Sequence, residues 1–414
     1  GLDSLKNLLA GTGKREISTT MAFVRLLSNL IKDKGIGEKI VPIIPDEART
    51  FGMEGMFRQL GIYSSEGQLY EPTDADQVMY YKEDIDGQVL EEGINEGGAF
   101  AAWLAAATSY SNNRYPLIPF YVFYSMFGFQ RIGDLCWAAG DLQARGFLMG
   151  GTAGRTTLNG EGLQHQDGHS HVLASTIPNC VSYDPAFAYE LAVIVHAGME
   201  QMFVKKEARF YYITLMNENY PQPEMPDGAM SGIIKGMYLL QRNSQAGGEA
   251  PTVQLLGSGT ILREVLAAAT LLQSEFGISA DVWSVTSFNE LRREGLSVTR
   301  WNMLHPQAKQ KKSYVTECLE NTQGPVVASS DYMKIYADQI REFVPRDYGV
   351  LGTDGFGRSD SREKLRRFFE VDRYFIVLAA LRALAAEGII ESKEITKALQ
   401  MFDIKADQPD PALS

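Results

Sequence analysis

The sequence predicts an α/β protein in two parts, a larger parallel sheet covered on both faces by helices and a smaller α/β unit behind it. Three observations carry this. Short apolar, β-branched runs alternate with helix-length segments of 3.6-residue periodicity. A stretch containing Pro221, Pro223, Pro226, Gly228 and Gly232, then a polar run at 241–251, separates two such series. The first apolar run ends directly on Pro45-Asp46-Glu47, which places two carboxylates at the carboxyl end of a strand, where open α/β sheets bind ligands. The expected boundaries are a linker at 1–16, a first domain at 17–225, a linker at 226–251 and a second domain at 252–414.

Ser18 or Thr19 can cap a helix carrying Phe23, Val24, Leu27, Leu30 and Ile31 at helical spacing, with Gly35 beyond its end. A strand follows at 39–44. Residues 63–86 are polar, acidic and poor in apolar anchors, which predicts a long surface loop. The segment 99–107, dense in alanine, predicts a helix able to pack closely on a sheet. A strongly apolar strand is expected at 117–127, a helix at 131–143 and another strand at 146–151. Further strands near Val181 and at 210–215 bracket a helix at 185–201. Beyond the linker, strands are expected at 253–256, 281–285 and 326–329, with helices at 261–273 and 374–387.

Composition is that of an ordinary globular chain: 414 residues, 45% hydrophobic and 22% charged. The formal net charge of −12 and pI near 5.1 disfavour nucleic acid and anionic membrane surfaces, whose phosphates would be repelled. Cys136, Cys180 and Cys318 form no Cys-x-x-Cys pair, so neither a disulfide framework nor a thiolate zinc site is expected, and a reducing cytoplasm fits best. The first residues contain no apolar signal core. The chain opens without methionine on a linker-like stretch, so a longer parent sequence is expected.

Glu96 is the residue with the clearest chemistry. It lies where the loop Gly93-Ile94-Asn95 gives way to the alanine-rich helix, and about 25 residues before the run from Tyr121 to Phe129. A carboxyl group beside an aromatic wall suits a nitrogen heterocycle: it can share a proton with a ring nitrogen while Tyr124 and Phe127 pack on the ring face. Thiamine diphosphate is activated in this way.

Other motifs carry less. His165, His169 and His171 lie close together around Asp167, but Gly160, Gly162 and Gly168 argue for a loop rather than a metal-binding helix, and no metal ligand is assigned. A loop presenting imidazoles suits a substrate pocket instead. Gly257-Ser258-Gly259 has Leu262 where a dinucleotide fingerprint needs its third glycine, and reads as a tight turn. Residues 352–357 can receive an anion at a helix start or simply turn the chain. The Gly-Asp-Gly and Asn-Asn elements that hold a diphosphate and Mg²⁺ have no good copy.

Five passages carry a resemblance to the homodimeric pyruvate dehydrogenase component of bacterial 2-oxo acid dehydrogenase complexes. They are IVPIIPDEARTFGMEG at 40–55, EEGINE at 91–96, FYSMFGFQRIGDLCWAAGD at 123–141, GRTTLNGEGLQH at 154–165 and VLGTDGFGRSDSRE at 350–363. The resemblance covers nearly everything from Ile17 onward and corresponds to the family's middle and carboxyl-terminal domains. It implies a transketolase-like pyrimidine-binding domain followed by a transketolase-like carboxyl-terminal domain. Glu96 would bind the aminopyrimidine, with Tyr124 and Phe127 in the ring pocket, and Asp46 and Glu47 would be acids lining it. His165 would stand near pyruvate. The implied activity is oxidative decarboxylation of pyruvate with acetyl transfer to the lipoyl domain of dihydrolipoyl acetyltransferase, in a homodimer using thiamine diphosphate and Mg²⁺. The diphosphate and metal ligands would lie in an amino-terminal domain without counterpart here, so the isolated chain is expected not to turn over. The alternatives are a transketolase-like transferase acting on sugar phosphates and a noncatalytic assembly fragment.

Overall fold

A computed structural model describes residues 5–45, 48, 50–73, 81–160, 163–244 and 250–414. Two compact units divide the chain. The first comprises the chain up to Ala153 together with Leu173–Ser182 and Phe187–Met225; the second comprises Gly154–Val172, Tyr183–Ala186 and Pro226–Ser414.

In the first unit, helix α1 (Thr19–Ile31) is capped by Ser18, whose hydroxyl accepts the Met21 N–H and satisfies one of the unpaired amides of the first turn. Strands β1 (Ile40–Ile44) and β2 (Leu90–Glu91), helix α2 (Glu96–Ala107), strand β3 (Ile118–Tyr124), helix α3 (Gly128–Asp141) and strand β4 (Phe147–Gly151) follow. Strand β5 (Cys180–Tyr183), helix α4 (Ala188–Met199) and strand β6 (Phe210–Thr214) complete the set. The sheet order is β2-β1-β3-β4-β6-β5. The ladders β1–β2, β1–β3, β3–β4 and β4–β6 all run parallel, which brings their carboxyl ends to one edge. Every residue of β3 but Tyr124 is buried, as expected of a strand with both faces covered. Phe100 and Trp103 of α2 pack with Tyr121 and Phe123 of β3 and Ile132 of α3 in one apolar cluster. Trp103 also donates its indole N–H to the Phe147 carbonyl, 3.1 Å away, so its polar atom is not stranded in that core.

The expected loop at 63–86 is partly tied down. Ile62–Tyr63 pairs in parallel with Glu83–Asp84, and the hydroxyls of Tyr70 and Tyr81 both donate to Glu83 at 2.9 Å. Residues 74–80 lie outside the described set.

In the second unit, strand β7 (Met237–Gln241) precedes β8 (Thr252–Gly257), helix α5 (Ile261–Phe276), β9 (Ser279–Val285), helix α6 (Phe288–Leu304), β10 (Val326–Ser329), β11 (Tyr348–Leu351) and helices α7 (Arg362–Phe368) and α8 (Arg373–Ala386). The order is β7-β9-β8-β10-β11, parallel except that β7 runs antiparallel to β9. Glu264 of α5 receives two hydrogen bonds from the Arg373 guanidinium, at 2.9 and 3.0 Å, plus the Arg373 backbone N–H, which fastens the start of α8 to α5.

Three expectations need correction. The stretch at 226–251 is not simply a connection: it holds a helix, Ala229–Lys235, and the edge strand β7. Glycines and polar residues flank it, but the Met-Tyr-Leu-Leu run finds a partner in β9 that no local pattern reveals. The opening 1–16 stretch likewise holds a short helix, Lys6–Leu9, and Glu16 pairs with Pro221 in a two-residue antiparallel ladder. Finally, Gly154–Val172, expected within the first domain, makes its contacts with the second unit.

Candidate active site

Asn95 caps α2 by accepting the Gly98 N–H at 3.1 Å, which makes Glu96 the first helical residue. A carboxylate in that first turn is favoured by the positive end of the helix dipole. The Glu96 side chain is 17% exposed, and its Oε1 lies 2.5 Å from Arg131 Nη1. Arg131 stands one turn into α3, its guanidinium 4.1 Å above the Phe127 ring. Phe127 in turn meets Tyr124 edge-on, with ring centroids 6.0 Å apart, and Tyr124 meets Phe51 at 5.2 Å. Glu96, Arg131, Phe127, Tyr124 and Phe51 are therefore one contiguous cluster linking α2, the end of β3 and the start of α3. Spacing on a single helix joins Phe127 to Arg131, the i,i+4 relationship. The pairing of Arg131 with Glu96 spans 35 residues and had no local signal.

Three hydroxyls in the same unit are buried and have no hydrogen-bond partner among the described residues: Tyr121 OH, Ser125 Oγ and Thr152 Oγ1. Burial pushes the Tyr121 phenol well above its ordinary range, and the Glu96 charge adds to it. Ser125 and Thr152 follow β3 and β4 directly, and the Ser125 N–H donates to the Gly151 carbonyl at 2.9 Å, so they sit side by side at the carboxyl edge. Thr152 adopts φ of 51°, a left-handed conformation that a β-branched residue rarely accepts. Buried unsatisfied hydroxyls and backbone strain concentrate at ligand sites. This carboxyl edge, with an acid, an aromatic wall and unpartnered hydroxyls, fits the heterocyclic end of a cofactor. Among the described residues, no three His, Cys, Asp or Glu side chains group as metal ligands.

Asp46 and Glu47, expected beside the ring pocket, lie outside the described residues. His165 belongs to the second unit, on the Gly154–Val172 segment. Its neighbours give the histidine-rich stretch its shape, and the last histidine, His171, lies in a short helix, Ser170–Ala174. Asp167 is fully buried and spends its Oδ1 on the His169 and Ser170 amides, both at 2.9 Å. His171 is fully buried, stacked on Tyr336 and edge-on to Tyr332, both at 4.8 Å. Burial drives its pKa down to about 3 against the opposing pull of Asp167, so it is a neutral core ring at physiological pH.

The fold is that of a transketolase-like α/β protein. Transketolase from Pichia stipitis superposes with a TM-score of 0.66 at 16% identity, over 94% of this chain and 50% of that one, a likeness of fold. The pyruvate dehydrogenase E1 component middle domain model matches residues 4–223, and the transketolase-like TK C-terminal domain model matches residues 236–372. The chain belongs to the pyruvate dehydrogenase E1 component family. It is 68% identical over 411 residues to the pyruvate dehydrogenase E1 component of Pseudomonas aeruginosa, covering 99% of this chain and 46% of that protein. The corresponding figures for the Escherichia coli K12 protein are 60% over 402 residues, 97% and 45%. The chain thus spans about half the length of the curated relatives it matches. Among the described residues, no helix is long and apolar enough to cross a membrane.

Proposed function

We propose that this chain supplies the pyrimidine-binding and carboxyl-terminal domains, at 17–225 and 252–414, of a cytoplasmic, homodimeric pyruvate dehydrogenase. Its activity is oxidative decarboxylation of pyruvate and transfer of the acetyl group to the lipoyl domain of dihydrolipoyl acetyltransferase. When bound, thiamine diphosphate supplies the electron sink that pyruvate decarboxylation requires and that side chains lack. Its Mg²⁺ and diphosphate would be held by residues outside this sequence.

The observation that carries the reading is the placement of Glu96 on the first turn of α2 beside the Tyr124–Phe127 wall. In this role Glu96 holds a proton at a pyrimidine ring nitrogen. Tyr124 and Phe127 orient the ring by packing on its face and exclude water from it. Ser125 and Thr152 offer hydroxyls to polar ring substituents. Arg131 is a switchable partner: its exposed guanidinium neutralises Glu96 here, and a heterocycle taking that carboxyl group as its own partner displaces it. Asp46 and Glu47 serve as acids of the site in this reading, and His165 donates a hydrogen bond to a substrate oxygen.

The test is a chimera in which this sequence replaces the matching portion of the Pseudomonas aeruginosa relative. With thiamine diphosphate and Mg²⁺ it should release carbon dioxide from pyruvate, and Glu96→Gln should lower the rate roughly 10²- to 10⁴-fold, the range for a positioned proton-transfer group. Full turnover by that variant, or a preference for ketose phosphates over pyruvate, overturns the reading.

A further inference from the structure

The Gly154–Val172 segment is held by several buried polar contacts within the second unit. Asp331, fully buried just beyond β10, accepts the Thr156 N–H at 2.9 Å and the hydroxyls of Thr156 and Thr157 at 2.7 and 2.5 Å. Arg155 donates to the Thr353 carbonyl at 3.0 Å and also to the Gly355 carbonyl. The next contact falls directly beside His165. Gln166 is 0% exposed, its Nε2 donates to the Leu158 carbonyl at 2.7 Å, and its Oε1 accepts the Arg358 N–H at 2.7 Å.

Both ends of the Gln166 amide are therefore used, one to close its own loop and one to reach the turn that follows β11. That turn is the glycine-rich stretch at 352–357. A Cβ at Gly357 would stand 2.8 Å from Gln166 Oε1, 2.9 Å from Gln166 Cβ and 2.9 Å from the Leu163 carbonyl, so only glycine lets the two segments approach this closely. The motif serves as a socket for the histidine loop.

The geometry points to Gln166 as a positioning residue for His165, seated against Gly357 and Arg358. The histidine's place is then fixed jointly by its own loop, through Leu158, and by the turn that follows β11. This rests on the reading of His165 as a substrate-facing group. A buried amide satisfied at both ends is costly to disturb, because removing one partner strands the other. Displacement of the adjacent imidazole by even an ångström weakens its hydrogen bond to a reacting oxygen.

The test uses the chimera described above. Gln166→Ala and, separately, Gly357→Ala should each lower kcat for pyruvate by about tenfold to a hundredfold. Neither should lower it further in a His165→Ala background, since both act through that ring. Diethyl pyrocarbonate labelling read by mass spectrometry should show a changed rate at His165 while His196 and His305 are unaffected. Equal losses in the wild-type and His165→Ala backgrounds, or an unchanged labelling rate at His165, overturn the proposal. If His165→Ala alone leaves kcat intact, the catalytic reading of His165 falls, and the labelling rate decides the positioning role by itself. Should Gln166→Ala fail to fold, Gly357→Ala presses on the same contact from the other side.

Discussion

Glu96 and Arg131 meet across 35 residues of sequence, guanidinium against carboxylate, with the guanidinium also lying over the ring of Phe127. The acid that the sequence singled out for its aromatic neighbours is thus also a charge partner, and the same arginine touches both.

Arg131 is nearly half exposed, so the ion pair adds little to folding. Arg131→Met should change the unfolding free energy by less than about 1 kcal/mol, as measured in urea. A larger loss would show that the pair, or the cation over Phe127, is a structural fastening. With stability intact, altered thiamine diphosphate affinity of the chimera would report directly on the charge facing Glu96.

Thr152 occupies a left-handed conformation at complete burial. Such strain costs on the order of 1–3 kcal/mol, which glycine would relieve while losing a methyl contact and backbone entropy. Thr152→Gly is therefore expected to be neutral or mildly stabilising, an unusual outcome for a fully buried threonine. Thermal unfolding checks it, and a fall in Tm of ten degrees or so would mean the side chain packs better than its backbone suggests.

His171 enters the fold neutral. Its folded pKa is depressed to about 3, so between there and the unfolded value near 6.5 the unfolded chain binds the extra proton. The stability this confers is fully present above about pH 6.5 and is lost as pH falls towards 3, with a slope approaching 1.4 kcal/mol per pH unit. His171→Phe keeps a ring between Tyr332 and Tyr336 and should flatten that portion of the stability profile relative to wild type. Parallel profiles from urea titrations at pH 4.5 to 7.5 would contradict this.

Glu264 is buried, and burial alone would raise its pKa, yet the Arg373 hydrogen bonds and charge, with Arg366 nearby, hold it below the ordinary carboxylate value. Its contribution is present above the unfolded value of about 4.5 and disappears as pH drops through the lower folded value. Glu264→Ala removes the acceptor of the Arg373 guanidinium and a carboxylate beside the buried Arg366, and should destabilise the chain by roughly 3 kcal/mol. An effect under about 1 kcal/mol in chemical denaturation would mark the pair as solvent-screened.

Elements whose sequence alone encodes their partner were legible. The Ser18 cap, the apolar run of β3 and the alternation that makes a parallel sheet are local, and each was visible. Glu96 was visible because a glycine-bearing loop gives way there to an alanine-rich run, with an aromatic run soon after. What escaped depends on distant residues. Strand β7 hides in a proline-rich stretch because its pairing strand lies some forty residues on. Helix α6 is mostly polar and carries Gly295, a poor helix former; there a Cβ would stand 2.6 Å from the ring of Phe343. Arg131 belongs to a segment expected at the pocket, but its pairing with Glu96 has no local signal. The contact between Gln166 and Arg358 spans 192 residues, and nothing near either one announces it.

The excursion of Gly154–Val172 into the second unit bears on how such a gene can be divided. A break near residue 225 falls at an apparent seam in composition, but it would leave Arg155, Thr156 and Gln166 on one polypeptide and Asp331, Gly355 and Arg358 on the other. Each half would expose polar groups that the intact chain buries. Recombination between relatives at that seam would pair a histidine loop with a socket it did not evolve alongside, so the two stretches must be inherited together.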